Sequence, residues 1–158
     1  MVDYAQQLHK PLGIQEVKWN QSPLGITMGG GGTRYRSRDF LKIGQLLVKR
    51  GQWNGQSIIN PEWIQESFTP RTQVREGTRY GYQWWNMRFQ LANGEDYWLW
   101  AAAGNGGNYL FIDQNRELVV LITSQAYNTS YGHSQSQEIM REFILPTLPT
   151  KKAFQPNR

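Results

Sequence analysis

The chain has 158 residues, enough for one domain with a buried core, and its 13% aromatic content, including seven tryptophans, excludes a disordered composition. It contains no cysteine, which removes disulfide frameworks, thiol nucleophiles and cysteine-based zinc sites. Seventeen Lys plus Arg against twelve Asp plus Glu give a net charge of +5, so nucleic acid has to be weighed as a partner. The densest basic stretch is only Arg34, Arg36 and Arg38, alternating with Tyr35 and Ser37; the other cations are scattered and Lys151–Lys152 is a lone pair. A solvated approach to a helix explains that stretch more simply than a phosphate-binding strand, and no nucleic-acid partner is expected. No apolar run approaches the roughly 20 residues of a membrane span, and the start Met-Val-Asp-Tyr lacks the basic-then-apolar order of a signal peptide.

Residues 3–10 read as the end of a helix, with Tyr4 and Leu8 on one face and Pro11 as the stop; an element entered partway through is expected there. Residues 15–28 read as irregular. The glycines Gly29–Gly32 free the backbone, but no Gly-Lys-Ser/Thr follows and no dinucleotide fingerprint is complete, so no phosphate loop is expected. Ser37 is expected to cap a helix over 38–50 with Asp39 in its first turn, Gly51 past its end, and Phe40, Ile43, Gly44 and Leu47 as the buried stripe. After a turn at 52–56, Asn60-Pro61 opens a short helix over 61–68, whose Glu62 and Glu66 read as an exposed polar face rather than an acid–base pair.

From Tyr80 the period becomes that of strands: Tyr80–Arg88, a hairpin turn at Asn93-Gly94, Tyr97–Ala103, the glycine-rich Gly104–Asn108, Tyr109–Asp113, and Leu118–Thr123. The last is continuously apolar and predicts a strand covered on both faces. Ser134 with Gln137 resembles a capping box for a helix through Leu145. The expected architecture is α+β: a helical region over 1–75, then three or four antiparallel strands and one helix over 76–146, then a tail over 147–158.

The only histidines, His9 and His133, have no metal spacing, and no cofactor or metal is expected; His133 reads as an exposed loop residue. No serine lies in Gly-x-Ser-x-Gly or Ser-x-x-Lys, and no tyrosine in Tyr-x-Asn, so no catalytic nucleophile or general base is assigned. Trp84, Trp85, Trp98 and Trp100 could form an aromatic platform for glycan or peptidoglycan, although adjacent strand residues point to opposite faces. At Gly104–Asn108 two readings stand: a glycine-rich turn, or a strand start whose main-chain N–H groups face a substrate carbonyl as an oxyanion hole.

Several segments in order carry a resemblance: Lys10–Ile14, Gly30–Asp39 leading into Leu41–Leu46, Gly51–Gln56 with Ile59–Trp63, Tyr80–Trp85, Ala103–Asn108 and Leu118–Thr123. Together they resemble the C-terminal portion of the serine β-lactamase-related family, which includes class C β-lactamases, penicillin-binding DD-peptidases, family VIII esterases and 6-aminohexanoate-dimer hydrolases. The resemblance implies an antiparallel sheet flanked by helices, with the sheet incomplete in this chain. It implies acyl transfer to a serine from a small ester, amide or β-lactam, with the Ser-x-x-Lys and Tyr-x-Asn motifs lying outside these residues. Asn105-Gly106-Gly107 takes the place of the third motif, so Asn105 stands where a basic residue is usual, which favours the esterase or amidase branch. Asn105, Gly106, Gly107 and Asn108 are thereby the expected oxyanion and substrate-binding residues, with the Asn108 N–H as one oxyanion donor. The chain alone is expected to be inactive, and either to self-associate or to need an N-terminal half.

Overall fold

The computed structural model describes residues 2–28, 31–91 and 93–148, without the side chains of residues 2–4. Helix α1 (Val2–His9) ends where Pro11 cannot continue it, and the exit is closed by Gly13 N–H to Lys10 O (3.1 Å) and Ile14 N–H to His9 O (2.9 Å). This turn drives Leu12 and Ile14 against Leu46 as a small apolar cluster. The segment expected to be irregular carries two isolated antiparallel bridges, Lys18↔Arg34 and Gln21↔Thr27. Gly29 and Gly30 lie outside the described residues, as do residues 149–158 of the expected tail with Lys151 and Lys152.

Helix α2 (Ser37–Val48) begins one residue earlier than expected: Arg36 is the capping position, and Ser37 is already helical. No side chain caps it; the Asp39 carboxylate in the first turn instead favours the helix dipole and pairs with Lys42 at 2.7 Å. The helix ends before residue 50, with Arg50 and Gly51 both at positive φ (52° and 82°). Gly51 is required there, since a Cβ would stand 1.9 Å from the Ile59 carbonyl oxygen. Strands β1 (Gln52–Trp53) and β2 (Gln56–Ser57) then form a minimal hairpin around Asn54-Gly55. In helix α3 (Pro61–Ser67) the Asn60 side chain accepts from Glu62 N–H at 2.8 Å, as the Asn-Pro start predicts.

The sheet has six antiparallel strands in chain order, where three or four were expected: β3 (Thr72–Arg75), β4 (Thr78–Gly81), β5 (Trp84–Gln90), β6 (Asp96–Gly104), β7 (Asn108–Asp113) and β8 (Leu118–Ile122). Two signals were hidden. β3 is exposed along its whole length and so shows no alternation. The run Tyr80–Arg88 is two strands folded at Tyr82-Gln83, a two-residue turn with no glycine or asparagine to announce it. The expected boundary at residue 76 therefore falls inside the β3–β4 hairpin, whose Arg75↔Thr78 pair holds both sides in one sheet. The Asn93-Gly94 turn forms as predicted, joining β5 to β6, with Gly94 at φ 84°.

Both sheet faces are covered. On one, Leu47 and Val48 of α2 and Ile64 and Phe68 at α3 meet Leu110 and Ile112. Gly44 lets α2 approach closely: a Cβ there would stand 2.4 Å from Val119 Cγ1. On the other, Met140 and Leu145 pack on Met87, Phe89, Leu99 and Phe111. β8 contributes Val119 and Leu121 to the first face and Leu118, Val120 and Ile122 to the second, as its continuous apolar run predicts. Its residues are nevertheless only half-buried, because β8 is an edge strand.

The last helical segment comprises α4 (Gly132–Glu138), a π-helical stretch Ile139–Ile144 and a 3-10 turn Leu145–Thr147. The expected capping box is absent. Ser134 lies inside α4 and its hydroxyl donates to Tyr131 O at 2.9 Å, while Gln137 reaches β7 instead of the helix start. Among the described residues no helix is long and apolar enough to cross a membrane, and no group of three or more His, Cys, Asp or Glu could hold a metal ion.

Candidate functional site at the β6–β7 hairpin

The four expected site residues come together at the β6–β7 hairpin. Gly104↔Asn108 is its closing pair, leaving Asn105, Gly106 and Gly107 as the loop. Gly106 and Gly107 have φ of 85° and 82°, a pair of left-handed residues that only glycine adopts without strain. Space demands glycine as well: a Cβ on Gly107 would stand 2.1 Å from Gly132 O, and one on Gly106 would stand 2.8 Å from the Tyr127 ring.

The segment 124–136 clamps this loop. Asn105 donates to Asn128 Oδ1 at 2.8 Å and accepts from Asn128 N–H at 3.2 Å. Asn108 Nδ2 donates to Asn105 O at 2.9 Å, and its Oδ1 accepts from Ser124 N–H at 3.1 Å. Below them the fully buried Ser136 hydroxyl donates to Gly107 O at 2.6 Å. Asn105 is thus an exposed neutral amide tied to the loop, and among the described residues no charged side chain hydrogen-bonds to the turn 104–108. The arrangement holds a short run of backbone rigidly at the end of the sheet, which is the physical requirement for preorganised main-chain donors.

A polar trio beside the hairpin escapes sequence reading. Tyr109, 3% exposed, places its hydroxyl 2.9 Å from His133 Nδ1 and accepts from Gln137 Nε2 at 2.8 Å. Burial pushes the Tyr109 phenol above its ordinary value. His133 stands in the first turn of α4 rather than in the loop before it, although it is exposed as expected. The available signal was the i, i+4 spacing of His133 and Gln137 on one helix face. His9 is elsewhere and buried: its Nε2 lies 2.9 Å from the Tyr35 hydroxyl, and burial lowers its pKa. It borders an open cleft of about 340 Å³ with Lys10, Ile14, Val17 and Trp19.

The four strand tryptophans do not gather into one platform. Strand register puts Trp84, Trp98 and Trp100 on one face and Trp85 on the other. Phe68 takes Trp84 (centroids 4.9 Å apart) and Trp100 (5.3 Å), Arg79 covers Trp98 at 4.1 Å, and Tyr80 packs on Trp85 at 4.6 Å. Within the basic stretch, Arg36 bonds Glu16 at 2.7 Å, and Arg34 pairs with Lys18 through the backbone alone.

No protein-family model matches the chain, and no curated protein does. Solved structures share its fold, two of them as follows. One, from Bacillus anthracis, is described as a "putative 6-aminohexanoate-dimer hydrolase"; it superposes with a TM-score of 0.68 at 20% identity, over 87% of this chain and 36% of that one. The other, a "putative beta-lactamase" from Bacteroides dorei DSM 17855, gives a TM-score of 0.52 at 16% identity, over 85% of this chain and 49% of that one. The chain therefore spans less than half the length of the structures it matches, and at these identities the likeness is one of fold. That fold, an open antiparallel sheet between helices, matches the C-terminal part of a β-lactamase-like fold.

Proposed function

We propose that these residues form the C-terminal part of a serine hydrolase of the β-lactamase-related kind, in which the β6–β7 hairpin supplies the oxyanion and substrate-binding wall. The observation that carries the proposal is the fold likeness to a hydrolase structure over 87% of the chain, with the clamped Asn105–Asn108 loop standing at a sheet end. In this reading the Asn108 N–H donates to the developing oxyanion, and the second donor is the N–H of the nucleophilic serine itself. Asn105, neutral where the related enzymes place a cation, suits an ester or small amide better than a carboxylate-bearing β-lactam. The helical elements up to α3 are the remnant of a helical region, and the strands with α4 are the sheet region.

The reacting groups are not in this sequence: no serine has a lysine at the required spacing, and no tyrosine precedes an asparagine in Tyr-x-Asn. The nucleophile and base must then come from a further segment or subunit. By itself the chain is expected to turn over neither a chromogenic ester nor a chromogenic cephalosporin, and a serine-directed fluorophosphonate is expected to leave it unlabelled. Specific labelling of any serine here would overturn this reading.

A further inference from the structure

Trp63 and Tyr82 stand outside every core cluster: they are 53% and 48% exposed, and their rings meet with centroids 5.4 Å apart at 63°. Such a pair is unusual on a surface whose other tryptophans are engaged by neighbours. Backbone conformation singles out the same place. Gly81↔Trp84 closes a two-residue turn in which Tyr82 and Gln83 both have positive φ, 46° and 70°. That turn prefers Asn-Gly, as at Asn54-Gly55 in this same chain, so a tyrosine here is held against local preference. Strain of this kind concentrates at functional positions. The Arg71 guanidinium lies 5.2 Å from the Tyr82 ring centroid and pairs with Glu66, one helical turn from Trp63.

We propose that Trp63 and Tyr82 form a saccharide-binding site, in which the apolar face of a pyranose ring stacks on the exposed Trp63 indole, the Tyr82 ring, inclined at 63° to it, closes one side, and Glu66 and Arg71 take the hydroxyls. The patch is two rings wide and bordered by an ion pair, far smaller than the roughly 800 Å² per partner of a standard protein interface. Amphipathic rings beside a carboxylate and a guanidinium match the mixed apolar and hydroxyl surface of a sugar. The proposal does not depend on the hydrolase reading, because its readout is binding.

The test is titration of the 158-residue chain with cellotetraose and with chitotetraose by calorimetry. At least one is expected to bind with a Kd tighter than about 10 mM, and Trp63→Ala is expected to weaken it by about fivefold or more. The double variant Tyr82→Asn, Gln83→Gly removes the ring while installing the preferred turn sequence. It is expected to melt no lower than the parent and still lose about fivefold or more in affinity. Absence of binding to both oligosaccharides, or a smaller loss in the double variant, would overturn the proposal.

Discussion

At the level of single residues, the β6–β7 loop is set by steric demands more than by side-chain chemistry. Gly107→Ala meets two penalties, a left-handed φ and a contact of 2.1 Å with the Gly132 carbonyl oxygen. The expected loss is about 2 kcal/mol or more in urea unfolding, the scale of strained backbone plus displaced packing. Gly106→Ala meets the Tyr127 ring, which is more than half exposed and can swing away, so it should cost less. Equal losses for the two variants would refute this ordering. The place of Asn105 and Asn108 in a glycine-rich turn between two strands was legible, but their tethering to Asn128 and Ser124 was not, because those partners arrive from a separate loop.

His9 supplies a pH prediction. Burial holds its folded pKa below 6.5, so the folded state favours the neutral ring, and the unfolded chain binds the proton more tightly. Its contribution to stability is complete above pH 6.5 and is lost as pH falls through the folded pKa. Unfolding free energy of the parent should therefore fall from pH 7 towards pH 5, and His9→Gln should flatten that slope. Tyr97 behaves in the opposite sense. Burial first, then its hydrogen bond to Asp113, pushes the phenol up to about 12, so its stabilisation is complete below pH 10 and lost as pH rises towards 12. Tyr97→Phe should show a shallower alkaline decline.

At the level of elements, Gly44 decides how α2 sits on the sheet. Alanine in a helix interior gains about 1 kcal/mol in intrinsic propensity over glycine. Here the added methyl would stand 2.4 Å from Val119 Cγ1 and 3.1 Å from Leu110 Cδ1, in a packed interface. Overpacking of that kind costs about 1–3 kcal/mol, so Gly44→Ala should be neutral to destabilising, and clear stabilisation in urea unfolding would show the helix free to shift. Sequence periodicity located α2 well, since Gly44 and Leu47 fall on its buried face as expected. It failed at two helix starts: Ser37 and Ser134 are helical residues, since which polar group satisfies the first turn depends on neighbours outside the local sequence. The β4–β5 hairpin was equally opaque, because Tyr-Gln is not a turn dipeptide.

At the level of the whole molecule, the sheet ends at β8, whose Leu118–Ile122 run is apolar on both faces and has no neighbouring strand beyond it among the described residues. An uncharged edge of this kind is a template for further pairing. The proposed need for self-association or a complementing segment therefore predicts concentration-dependent assembly in sedimentation velocity. Val120→Lys should reduce that assembly, and a monodisperse parent monomer with a sharp, cooperative melt would sink the idea.

The amino-acid sequence by itself determined the succession of helices then antiparallel strands, the Asn93-Gly94 hairpin, the two-faced burial of β8 and the location of the glycine-rich loop. Those features are written in local periodicity and in turn residues with few permitted conformations. Only the tertiary structure decided that six strands form one open sheet, that the segment 124–136 locks Asn105–Asn108, and that Trp63 meets Tyr82 at the surface. Each of these joins residues distant along the chain, through packing and hydrogen bonds that local pattern does not encode.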